Sequence, residues 1–127
     1  MRRYKWLMIV LALLLLLGVV GYLIARNQPT FQGSRVRNPD AYLLDIRMMN
    51  GTDLHTMELH KDDVLDVLFE TVKGSITLEI KGPDGTTLYH GNGRDVTAFT
   101  LSIPESGVYL FLVEAKHAKG TLHIQLR

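Results

Sequence analysis

Twenty consecutive residues, Trp6 to Ala25, carry no charge and are nearly all apolar. At about 1.5 Å per residue a helix of that length spans about 30 Å, the thickness of the hydrocarbon core of a bilayer. The run therefore predicts a transmembrane helix, with Leu11 and Leu15 in its apolar middle and Trp6 and Tyr22 near its ends, where aromatic rings favour the interface. Arg2, Arg3 and Lys5 precede it, a short basic head that predicts an N-terminus in the cytoplasm and a C-terminal part outside it. Arg26, Arg35 and Arg37 on the far side oppose that orientation. The reading is a retained signal anchor. The alternative is a cleaved export signal, for which Val19-Val20-Gly21 and Leu23-Ile24-Ala25 offer small-residue sites. Gly21 and Ala25, four apart, are small enough to let two such helices approach closely.

Four parts follow: a basic head over 1–5, the helix over 6–25, a polar tether over 26–38 and a folded domain over 39–127. The tether contains Pro29 and Gly33, shows no periodicity, and can reach at most about 40 Å. From Pro39 onward there are eight Lys/Arg and thirteen Asp/Glu, a net of −5. A domain of that sign does not suit nucleic acid, so no nucleic-acid partner is expected. The basic residues near the helix suit the other expected partner, a lipid bilayer. The chain has no cysteine, which excludes disulfides, thiolate zinc sites and a thiol nucleophile.

Past Pro39 the hydrophobic pattern has period two, broken by turn signals every eight to twelve residues. Tyr42, Leu44, Ile46 and Met48 alternate, and Asn50-Gly51 suits a type I′ hairpin turn. Thr52 to Leu59 alternates poorly. Leu65, Val67, Phe69 and Thr71 form a row ending at Gly74, and Ile76, Leu78 and Ile80 form another. Gly82-Pro83-Asp84-Gly85 is a strong turn. Phe99, Leu101 and Ile103 follow. Val108 to Ala115 is apolar on both faces, which predicts a central strand covered on both sides. Leu122, Ile124 and Leu126 close the domain. Seven or eight strands in this length predict an all-β, antiparallel, jelly-roll-like β-sandwich.

Three motifs carry a resemblance. Gly82-Pro83-Asp84-Gly85 followed by Leu88-Tyr89, Ser106-Gly107-Val108-Tyr109, and Lys119-Gly120-Thr121-Leu122-His123-Ile124 are similar to the hairpin, central strand and closing strand of GOLD, CUB-like and prepeptidase C-terminal domains. The resemblance covers about half of the chain, Lys61 to Leu126, and extends to small anchored envelope proteins of bacteria. It implies adhesion, ligand capture or protein contact rather than catalysis. GOLD cargo receptors carry a cysteine pair and a C-terminal membrane helix, and this chain has neither.

No constellation commits the chain to an enzyme or a cofactor. His55 and His60, and His117 and His123, lack the convergent spacing of a zinc site. Asp62, Asp63, Asp66, Asp84 and Asp95 lie near loops without the dense ligand spacing of a calcium loop, and read as turn-forming or solvated. Gly91-Asn92-Gly93 lacks the third glycine and the helix of a dinucleotide loop. Met48, Met49, Met57 and Leu59 cluster around the weakest strand and are the candidate protein-contact surface, because methionine-rich surfaces repack on partners. The expected function is non-enzymatic protein contact in the cell envelope. A carbohydrate- or peptide-binding sandwich, using Tyr42, Tyr89, Phe99, Tyr109 or Phe111, is one alternative, and a metal-dependent or hydrolytic enzyme whose loops converge in space is the other.

Overall fold

The computed structural model describes residues 2–26 and 29–127, the side chains of residues 2, 3 and 24–26 excepted. Helix α1 runs Arg2–Arg26. Its segment Tyr4–Leu23 has a mean hydropathy of 2.7, long and apolar enough to cross a membrane, and none of it is buried against the rest of the chain. Trp6, Leu11, Leu15 and Tyr22 are 61–73% exposed, so most of their apolar surface is uncovered by the described residues. Gly21 lies on the same bare helix, and the side chain of Ala25 falls outside the described residues.

Six strands follow: β1 Thr30–Asn38, β2 Ala41–Leu59, β3 Val64–Lys81, β4 Thr87–Gly91, β5 Ala98–Ser102 and β6 Gly107–Leu126. All pairings are antiparallel, in the order β1-β2-β6-β3-β4, with β5 also on β3. The count is six rather than seven or eight because three pairs of expected strands are continuous, while the expected tether supplies one further strand, β1. Strands β2, β3 and β6 are 19, 18 and 20 residues long. Each breaks register at its middle, β2 between Ile46 and Gly51, β3 between Thr71 and Ser75, and β6 across Lys116 to Gly120. Bulges bend strands. Three bends side by side fold the sheet over onto itself.

Strand β2 shows how far it folds. Tyr42 and Asp53 are 11 residues apart, which a straight strand would separate by roughly 37 Å. Yet the Tyr42 hydroxyl donates to the Asp53 carboxylate. The first halves of β2 and β3, the second half of β6, β1 and β5 thus form one layer, and the remaining halves with β4 form the other. The result is an open sandwich, not a closed barrel.

Between the layers lies one core of twenty buried apolar residues, among them Tyr42, Leu44, Phe69, Ile80, Tyr109, Phe111 and Leu122. Each large side chain buried there contributes about 1.5–3 kcal/mol. Tight backbone approaches make the bends. A Cβ on Gly74 would meet the carbonyl oxygens of Lys116 and His117 at 2.3 Å, and one on Gly120 would meet that of Glu70 at 2.3 Å. Gly74 also has φ +65°.

Three expectations need correction. Asn50-Gly51 is not a hairpin turn: β2 continues through it, paired to β6 on both sides of the bulge. The expected tether forms β1 over Thr30–Asn38, paired to Ala41–Asn50. Only residues 27–29 separate helix from strand, so Arg26 and Thr30 can lie at most about 14 Å apart. Finally, Val108–Ala115 is central but covered on one face alone. Tyr109, Phe111, Val113 and Ala115 are buried, whereas Val108 is 55% exposed and Leu110 and Leu112 are half-buried.

Candidate functional site: an apolar sheet face and its charged edge

On the folded domain, the uncovered face of β6 carries a contiguous row of apolar side chains. Paired residues of an antiparallel sheet point to the same side. Leu54 of β2 lies opposite Leu112, and Leu112 lies opposite Glu79 of β3. Leu110 sits between Thr56 and Lys81, and Val108 faces Glu58. Leu54 and Val108 are more than half exposed. A stripe of Leu54, Val108, Leu110 and Leu112 is therefore rimmed by Glu58 and Thr56 on one side and Glu79 and Lys81 on the other. Nζ of Lys81 is 3.7 Å from Glu79, and the Thr87 hydroxyl donates to the same carboxylate at 3.1 Å, so the rim is ordered. An apolar centre inside a polar rim is the anatomy of a protein-contact surface.

The methionine cluster is not that surface. Met49, Met57 and Leu59 are at most 2% exposed and belong to the core; Met48 alone is on the surface, at 40%. The bulge between Ile46 and Met49 shifts the phase of the strand, turning Met48 outward and Met49 inward. Beyond it the inward positions are Asp53, His55, Met57 and Leu59, and the acid and the histidine hid this alternation.

Beside the stripe, β1 pairs only with Ala41–Asn50, so the second half of β2 has no strand on its outer side among the described residues. Charge guards this edge. Asp53 is 4% exposed. Its carboxylate lies 3.1 Å from Nε of Arg35 in an ion pair and accepts from the Arg37 guanidinium and from the Tyr42 hydroxyl. A buried carboxylate needs such donors, because desolvation alone would make it prohibitive. The Arg35 guanidinium also lies 4.3 Å above the ring of Phe31. His55 stacks on Tyr42 at 5.0 Å, and its Nε2–H donates to the Asn38 carbonyl at 2.9 Å. Period-two spacing of Phe31, Gly33, Arg35 and Arg37 was the signal for β1, masked because its inward positions are cationic. Inward-pointing charges at an edge also deter unwanted strand addition.

Burial pushes the Tyr42 phenol well above its ordinary value, and the neighbouring Asp53 carboxylate adds to the shift. The sign follows from linkage: the folded chain keeps this proton above the unfolded value of about 10, while the unfolded chain releases it. The stabilisation is complete below about pH 10 and should fall by about 1.4 kcal/mol per pH unit above it. Denaturant titrations from pH 9 to 11 should show a steeper loss for the wild type than for Tyr42→Phe. Identical slopes would contradict the assignment.

The remaining candidates are dispersed. His123 Nε2 is 2.9 Å from Asp45, and Asp66 pairs with Arg127 at 2.7 Å. The Asp84 carboxylate accepts from the Thr86 hydroxyl and amide, which hold its pKa below the usual value. Asp63 accepts the His60 amide at 2.8 Å. Among the described residues no three His, Asp or Glu converge as metal ligands. Tyr42, Tyr109 and Phe111 are fully buried, and Tyr89 and Phe99 stack at 4.9 Å against the core. Phe99 lines a depression of about 430 Å³ and Tyr109 a separate one of about 290 Å³, so these aromatics are not gathered in one site.

No family model matches the chain, and no curated protein matches it in sequence. Among solved structures it is similar to a periplasmic inhibitor of g-type lysozyme from Aeromonas hydrophila, with a TM-score of 0.50, 13% identity, and coverage of 74% of this chain and 92% of that one. This likeness is one of fold. A cupin domain from Bordetella pertussis (TM-score 0.34, 12% identity, 79% of this chain and 92% of that one) and an accessory secretory protein assembly from Streptococcus pneumoniae (TM-score 0.34, 12% identity, 75% and 85%) are more distant. The resemblance to GOLD, CUB-like and prepeptidase C-terminal domains rests on its three motifs. In the structure these form the β3–β4 turn, the start of β6 and the second half of β6.

Proposed function

We propose that this chain is a membrane-anchored, non-enzymatic β-sandwich that presents an apolar sheet face outside the cytoplasm to a partner protein. The observation that carries the reading is the uncovered stripe of Leu54, Val108, Leu110 and Leu112 on an ordered, charge-rimmed sheet. The similar Aeromonas fold belongs to a periplasmic protein that acts on another protein, which supports this choice over catalysis. The bare apolar α1 supports the anchor. Arg35 and Arg37, which opposed the expected orientation, are each paired with the buried Asp53, which favours the basic head as the stronger topological signal.

Leu54→Thr/Leu112→Lys tests the contact. Both side chains face outward, and position 112 stands opposite Glu79, so no like charges meet and the melting temperature should hold, while the complex extracted from membranes should migrate at lower mass on a native gel. Unchanged migration would count against the surface.

The anchor has its own test. Leu11→Arg/Leu15→Arg places two charges mid-helix at about 2.5–3.5 kcal/mol each and should move the chain from the carbonate-resistant membrane pellet to the soluble fraction. A wild-type chain whose mass shows an N-terminus near Tyr22 or Arg26 would establish cleavage instead. Because the chain has no cysteine, Thr86→Cys provides a single label site. A membrane-impermeant maleimide should reach it in intact cells.

A further inference from the structure

The three bends share a property that the strands on either side lack. Residues 46–51, 71–75 and 115–120 contain Arg47, Lys73, Lys116 and Lys119 and no Asp or Glu. Half of the eight basic residues after Pro39 lie there, with none of the thirteen acids. All four side chains are exposed, and among the described residues none forms an ion pair. Lys73 lies directly opposite Lys119, an arrangement that costs stability in a sheet unless an anion offsets it. Val72 and Met48 stand exposed among these cations, at 56% and 40%. A shallow depression of about 420 Å³ on the flank of the bend is lined in part by Arg47, Lys119, Val72 and Thr121, with one carboxylate, Asp45, which is engaged by Ser34 and His123. The opposite end of the sandwich is acidic, with Asp40, Asp62, Asp63, Asp84 and Glu105 in its turns against Lys61.

Chain connectivity places the bend next to the anchor. Thr30, the first residue of β1, pairs with Asn50 in the bend of β2. The chain approaches across it too, since a Cβ on Gly51 would lie 3.2 Å from Pro29. With at most about 14 Å between Arg26 and Thr30, the bend is the end of the domain nearest the bilayer.

We propose that the basic bend docks on the anionic lipid surface from which the helix emerges, holding the sandwich end-on to the membrane with its acidic end outward. This rests on the reading of α1 as a membrane anchor. Cations near an anionic leaflet are attracted within about a Debye length, roughly 10 Å at 0.1 M salt, and each one removed lowers the ratio of docked to undocked domain about fivefold. Val72 and Met48 would enter the headgroup layer alongside the lysines. Docking also fixes the orientation of the partner face, because the stripe on β6 then stands roughly upright on the membrane.

The test uses the full-length chain in vesicles of phosphatidylcholine, with or without phosphatidylglycerol, carrying a quencher on the lipid headgroup. Fluorophores are placed at Val72→Cys or at Thr86→Cys, on the opposite end. Quenching at position 72 should exceed that at 86 several-fold with phosphatidylglycerol. The difference should shrink in pure phosphatidylcholine, at high salt, and in Lys73→Gln/Lys119→Gln, which relieves a like-charge pair and so keeps the fold. Equal quenching at the two sites, in a chain that floats with the vesicles, would overturn the docking while leaving the anchor intact. A chain that fails to float with either lipid would overturn the anchor reading and the docking with it.

Discussion

Gly120→Val should abolish cooperative folding of the domain. The position has no room: a Cβ would lie 2.3 Å from the Glu70 carbonyl oxygen and 2.9 Å from the Ile76 side chain. The backbone atom cannot yield without moving β3 away from β6, and those two strands carry the centre of both layers. Overpacking alone costs about 1–3 kcal/mol where side chains can adjust. Here a bend must reopen, which threatens most of the about 5–15 kcal/mol that holds a small domain together. Gly74→Ala should behave similarly, because it combines a clash with a positive φ. Gly85→Ala is the control: its φ is also positive, at +83°, but nothing lies within 4 Å of the added carbon. It should cost about 1 kcal/mol or slightly more. Urea unfolding followed by circular dichroism separates these cases. Equal, small losses at all three glycines would mean that the folded-over sheet is wrongly described.

Arg35→Ala/Arg37→Ala should cost about 3–5 kcal/mol, far more than the loss of two surface arginines elsewhere. Each guanidinium is partly exposed, at 34% and 41%, and hydrates readily once free. Asp53, with its side chain at 3%, does not. The penalty is therefore that of a buried carboxylate left with only the Tyr42 hydroxyl. Adding Asp53→Asn should recover much of the loss, since an amide costs less to bury than an unpaired charge. An additive triple variant, worse than the double by the cost of Asp53→Asn alone, would show that the three charges do not act together. The same pairs hold β1 over the unpaired edge of β2, so the double variant should also aggregate more readily.

The helix and most of the core were legible in the sequence, for physical reasons. A run without charge has few fates, and α1 is where it was expected. Period-two rows correctly turned Tyr42, Leu44, Ile46, Leu65, Val67, Phe69, Ile76, Leu78, Ile80, Leu122 and Ile124 inward. What failed were the joins between rows. Asn50-Gly51 and Gly74 carry turn chemistry, yet at both positions the partner strands bend with the glycine, so the chain continues instead of reversing. Local residues do not reveal which distant strand lies alongside. Strand β1 was missed because its inward face is arginine, satisfied by a carboxylate that is itself out of phase with the apolar pattern. The methionine cluster was read as surface for a related reason: one bulge exchanged the faces of Met48 and Met49, and Met49, Met57 and Leu59 are in the core. Apolarity on both faces of Val108–Ala115 was seen, but whether a second layer covers the outer face is a tertiary fact.

The stripe on β6 bears the functional account, and site-specific photo-crosslinking in intact membranes probes it most directly. A photoreactive residue at Leu54 or Leu112 should give a discrete crosslinked protein adduct, whereas one at Thr100, on the outer face of the other layer, should not. Adducts of the same identity and yield at all three positions, or none at 54 and 112, would contradict the assignment of this face to a partner.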